Sequence, residues 1–139
     1  MRLRWKLSLH RLIYKLIWNL DKLWLSMGWL LIALTIVFSL MTSTLRIIDF
    51  KHIDKFEHLL VYTILVLWFS QIFQRRLHLR LGLGFIAMGV GLEFLQRLSA
   101  FRSFQYSDII ANISGVSFGL LLAKTRMSNC LTEIKNKFL

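Results

Sequence analysis

Asp54, Glu57 and His58 stand at i, i+3 and i+4, Glu93 and Gln96 three apart, and Asp108 and Asn112 four apart, each set at the end of an apolar stretch. Residues three and four apart share one helix face, so each set projects as a group. Carboxylates beside a histidine are what general acid–base chemistry uses, and the same donors suit a divalent ion. The nearby cations Lys55 and Arg102 add anion recognition, since a guanidinium makes planar bidentate contact with phosphate or carboxylate. An ionisable group near hydrocarbon is costly and is kept facing a protein interior or a water-filled cavity, which makes these sets a site hypothesis.

Each set also has a plainer reading. Asp54 with Glu57 resembles a capping box, and Asp108 after Ser107 suits a helix start, where the dipole favours negative charge. Glu93 sits near a helix C-terminus, where the dipole opposes it, so it is expected to pair with Lys55, Arg97 or Arg102. A buried ion-pair lattice that locks a bundle would account for all of these residues together.

The elements that must position them are membrane helices. The chain has 139 residues, 56% of them hydrophobic, and no proline; its mean hydropathy is +0.58. Four apolar stretches, 23–41, 56–73, 79–95 and 109–123, approach the roughly 20 residues a span requires. Backbone groups in hydrocarbon must be satisfied internally, so all four are expected as helices. The fold class is therefore an all-α membrane protein, a four-transmembrane-helix bundle preceded by an amphipathic interfacial helix. Residues 1–22 form the basic amphipathic segment, 23–124 the membrane domain and 125–139 a tail.

In the first segment Leu9, Leu12, Ile13, Leu16, Ile17 and Leu20 recur at helical spacing between basic residues, with Trp5 and Trp18, as in a helix lying on anionic lipid. A cleaved signal peptide is the rival reading, but Thr42, Ser43 and Thr44 follow the apolar run where a small-residue cleavage site would stand. A retained anchor is favoured.

Positive loops stay in the cytoplasm. Arg2, Arg4, Lys6, Arg11, Lys15, Lys22, Arg75, Arg76, Arg80, Lys124, Arg126, Lys135 and Lys137 fall on one side, and only Arg46, Lys51, Lys55, Arg97 and Arg102 on the other. Both termini are thus expected in the cytoplasm, with the polar sets facing outward. The net charge of +11 reads as this topology signal rather than as a nucleic-acid footprint. Cys130 is the lone cysteine and supports neither a disulfide nor a thiolate metal site. His10, His52 and His78 read as solvated loop residues, and Trp24, Trp29, Trp68 and Tyr62 as interface or packing aromatics. Gly82, Gly89, Gly115 and Gly119 continue the polar stripes inward and would let helices approach closely.

Asp54-Lys55-Phe56-Glu57-His58 opening one helix, Gly91-Leu92-Glu93-Phe94-Leu95-Gln96 closing the next, Arg102 in the loop, and Ser107-Asp108-Ile109-Ile110-Ala111-Asn112-Ile113-Ser114-Gly115 opening the last resemble the VanZ-like family. These are small bacterial membrane proteins associated with resistance to the glycopeptide teicoplanin. The resemblance covers roughly 23–124; loop 99–106 lacks the proline often found before the arginine, and the first loop, 42–53, is short. It implies an inner-membrane location and a link to glycopeptide tolerance, without naming an activity.

The function expected from these readings is recognition of an anionic envelope lipid or lipid-linked cell-wall precursor by Asp54, Lys55, His58, Glu93, Gln96, Arg102, Asp108 and Asn112. One alternative is a structural or accessory protein with an ion-pair lattice. Another is a membrane-embedded acid–base or metal-dependent enzyme, for which Asp54, His58, Glu93 and Asp108 would be the donors. No nucleophile motif, His-Glu-x-x-His or phosphate-cradling glycine loop is present in the sequence, and no cofactor or catalytic residue is assigned. Four spans are few for a transporter, although a homo-oligomer would enlarge the assembly.

Overall fold

A computed structural model describes residues 2–40, 53–98 and 105–137, with the side chains of 2–16, Ile53 and Arg126 outside that description. Every long element among the described residues is helical: α1 (Arg2–Leu40), α2 (Ile53–Ser70), α3 (His78–Leu98), α4 (Tyr106–Leu122) and α5 (Cys130–Lys137). Short 3-10 turns at Arg75–Leu77 and Arg126–Asn129 precede α3 and α5. By length and composition Ile17–Leu40 and Arg75–Leu98 can each cross a membrane, and Tyr106–Leu122 with Met127–Lys137, bent by 76°, would add a third if taken as one broken span. The chain is therefore a helical membrane protein. Its α2 is 18 residues long with Asp54, Lys55 and Glu57 in its first turns, and its α4 is 17 residues long.

The surface supports the same conclusion. Trp29, Leu30 and Phe38 on α1, Phe56, Leu60 and Ile64 on α2, Leu79 and Leu83 on α3, and Ile110 and Phe118 on α4 are all exposed. Contiguous apolar surface on that scale is unfavourable in water and is what a bilayer requires.

Buried Tyr62, Leu65, Val66, Phe69, Phe85 and Val116 form the core, where α2 packs against α3 and α4. The closest approach is between α2 and α4. A Cβ added at Gly115 would fall on the backbone of Leu59, and one at Gly119 would meet Val66 and the carbonyl of Thr63. With no side chain at these two positions the helices touch backbone to backbone, and the Thr63 hydroxyl donates to both Leu59 O (2.8 Å) and Gly115 O (3.0 Å). By contrast, Gly84 and Gly91 face open space.

Helix ends are tied by side chains from other elements. His78, buried at the start of α3, hydrogen-bonds Ser70 O (3.1 Å) and Phe73 O (3.0 Å), satisfying carbonyls at the α2 C-terminus. The expectation that His78 is a solvated loop residue is thereby corrected: the tight α2–α3 connection folds it inward, where its ring N–H has carbonyl partners. Trp24 and Trp68 stack at 4.3 Å between α1 and α2, and Trp68 Nε1 donates to Trp24 O at 2.9 Å.

Two helices run across or beyond the divisions drawn in the sequence. The sequence divides near residue 22 into an interfacial and a spanning segment, but α1 runs without interruption from Arg2 to Leu40, since no glycine or proline breaks it there. The segment 125–139, expected as a tail, folds in its described part: α5 docks by buried Leu131, whose N–H donates to Gln71 Oε1 at 3.0 Å, and Lys135 pairs with Asp21 of α1. His10's side chain, His52 and loop 42–52 lie outside the described residues.

Candidate functional site

The end of the bundle opposite α5 gathers the start of α2, the end of α3 and the start of α4. His58 lies one turn inside α2, and its Nδ1 is 3.0 Å from Asn112 Oδ1 on α4. An amide oxygen can only accept, so His58 Nδ1 carries the proton and donates it. Asn112, 3% exposed, is tucked beside Gly89 of α3, where a Cβ would meet its Nδ2. The other ring nitrogen, Nε2, lies 3.9 Å from Asp54 Oδ1, one turn earlier on α2, and 3.9 Å from Asp108 Oδ2 on α4. Lys55 Nζ stands 3.9 Å from Asp108 Oδ1.

Asp108 is 0% exposed. It occupies the first turn of α4, whose N-cap Gln105 makes no side-chain capping bond. A carboxylate that only capped a helix would sit in solvent; one this deep needs a positive centre and donors around it.

Glu93 and Gln96 play a different part. Glu93, 1% exposed, accepts from the backbone N–H of Gln105 at 2.8 Å, at the start of α4. Gln96 donates to both the backbone oxygen and the hydroxyl of Ser39, in the last turn of α1. Both bind backbone groups at helix ends, which have no partner within their own helix. Of the three expected cationic partners of Glu93, neither Lys55 nor Arg97 pairs with it among the described residues, and its carboxylate instead receives the Gln105 N–H. Arg102 lies outside the described residues. The structure thus brings Asp54, Lys55, His58, Asp108 and Asn112 into one group and places Glu93 and Gln96 on neighbouring connections.

Beside the group a groove of about 260 Å³ runs between α1 and α2. Leu31, Leu34, Phe38, Val61 and Leu65 line its length, and Asp54, Glu57 and His58 stand at one end. An apolar trough with a polar end matches an amphiphile. The part taken by α1, including Ser39 and the groove wall, is invisible to helical spacing within single segments. Thr35 and Ser39, two hydroxyls four apart in an otherwise apolar stretch, were the available signal.

Chemically, His58 with a fixed Nδ1–H and an Nε2 directed at two carboxylates is arranged as a proton acceptor or a ligand. Comparison with protein-family models, with curated proteins and with solved structures returns no match to this chain.

Proposed function

We propose that the chain is a VanZ-like integral protein of the bacterial cytoplasmic membrane that holds an anionic envelope lipid or lipid-linked cell-wall precursor. In this reading 17–40, α2, α3 and α4 cross the bilayer, both termini are cytoplasmic and the polar group faces outward. The basic stretch 2–22 engages anionic headgroups of the cytoplasmic leaflet. Support for this orientation comes from Lys135 meeting Asp21 and α5 meeting the α2–α3 connection, which gather the basic segments at one end of the bundle.

The observation that carries the lipid reading is the α1–α2 groove, apolar along its length and polar at the Asp54–His58 end. A tail lies along it, and the headgroup meets Lys55 beside its polar end. The test is native mass spectrometry of the detergent-purified chain beside Leu34→Trp, which fills the groove, and Lys55→Ala. A defined anionic species retained by the native chain and lost from both variants is the expected result. Identical unselective lipids on all three would overturn it. The role in glycopeptide tolerance, which rests on the resemblance alone, is abandoned if deletion and overexpression leave lipoglycopeptide susceptibility unchanged.

The complete burial of Asp108 also favours a second reading, a lattice that only stabilises the bundle. It requires Asp108→Asn to lower stability and protein level together while leaving the lipid complement as it was.

A further inference from the structure

His58 is bound on one side and directed on the other. Its Nδ1–H is taken by Asn112, so Nε2 presents its lone pair toward carboxylate oxygens of Asp54 and Asp108, each 3.9 Å away. Both carboxylate oxygens lie beyond the about 2.7–3.2 Å of a hydrogen bond from that nitrogen, at a spacing that a cation shared by the three groups would close.

We propose that Asp54, His58 and Asp108 bind one divalent transition-metal ion of the Mn2+ or Zn2+ class, whatever occupies the groove. Ligand atoms from the three lie within 4.8 Å of one another. An ion bonded at about 2.0–2.2 Å spaces its ligand atoms about 3–3.5 Å apart, so each side chain closes by less than about 1 Å. Two carboxylates and one imidazole are a borderline donor set. Ca2+ asks for six to eight oxygens and Cu(I) for sulfur, whereas Mn2+ and Zn2+ accept mixed nitrogen and oxygen and leave positions open.

The surroundings favour the cation. Asp108 is fully buried, with Lys55 Nζ 3.9 Å away, and Asp54 lies across the ring, so the three donor atoms meet at a place largely shielded from water. Glu57 is exposed on the rim and Glu93 is engaged with the Gln105 N–H, so neither belongs to the donor set. Buried Asn112 is the outer partner that holds a metal-binding histidine in one tautomer and orientation.

The test uses the tag-free full-length chain, stripped by chelator in detergent and titrated with Mn2+ under electron paramagnetic resonance, with Zn2+ as competitor. One Mn2+ per chain, displaced by Zn2+ and showing nitrogen-14 coupling from a single imidazole, is the expected result. His58→Gln and Asp108→Asn should weaken binding at least ~10-fold, and Asn112→Ala by about 10- to 100-fold. Glu133→Gln, exposed on α5 at the other end of the bundle, should leave it unchanged. The native chain alone decides if a variant fails to fold: no saturable Mn2+, or bound Mn2+ without the nitrogen coupling, overturns the proposal. Lipid retention is read on separate samples, so failure of either idea leaves the other standing.

Discussion

Asn112 shows how one amide decides the character of a site. By accepting from His58 Nδ1 it sets which ring nitrogen faces the carboxylates, and it does so while 3% exposed. Asn112→Leu keeps the volume but leaves a buried N–H unsatisfied, a loss of about 1–3 kcal/mol, to be read as a lower unfolding midpoint in detergent. Asn112→Gln is no equivalent, since the longer side chain must fit beside Gly89. In the sequence Asn112 is legible as a partner of Asp108 on one α4 face. Its engagement with His58, 54 positions earlier, is not, because helical spacing reports faces and says nothing of which faces meet.

At the level of elements, the polar residues near helix ends divide by what they bind. Glu93, Gln96 and His78 satisfy backbone groups of neighbouring helices, which in a bilayer have no water to turn to. Gln96→Leu removes the donor to Ser39 and should cost about 1 kcal/mol of stability without changing metal or lipid binding at the His58 group. Packing makes a sharper contrast. Gly115→Ala drives a methyl into the Leu59 backbone and should destabilise by about 1–3 kcal/mol, whereas Gly84→Ala meets open space and should be neutral or slightly stabilising. Thermal aggregation of the two variants, measured side by side, checks this; equal loss in both would mean that α2 and α4 are not in backbone contact. The sequence placed Gly115 on the stripe that continues inward from Asp108 and Asn112 and left Gly84 off every such stripe, in accord with what each one meets. It could not say which helix Gly115 would touch, since spacing reports a face and not its partner.

For the whole molecule, the basic segments converge where α5 meets α1 and the α2–α3 connection, and the acidic group occupies the other end. Cys130 is exposed and is the lone cysteine, so it reports topology without engineering. A membrane-impermeant maleimide should label it only after permeabilisation, whereas Tyr106→Cys in a Cys130→Ser background should be labelled in intact cells. The reverse pattern would invert the assigned orientation and place the His58 group on the cytoplasmic side. Charge distribution made the two ends legible, because loop cations are read locally, segment by segment.

By itself the sequence determined the helical, membrane-embedded class of this protein and the helix faces that carry its polar residues. Hydropathy and the 3.6-residue period are properties of contiguous segments, and hydrocarbon admits few other backbone solutions. Only the tertiary structure decided that His58 meets Asn112 and two carboxylates, that Glu93 and Gln96 bind helix ends, and that α1 closes a groove beside them. Those pairings depend on how closely helices approach and at what height they align. That is set by absent side chains at Gly115 and Gly119 and by backbone groups no linear pattern encodes.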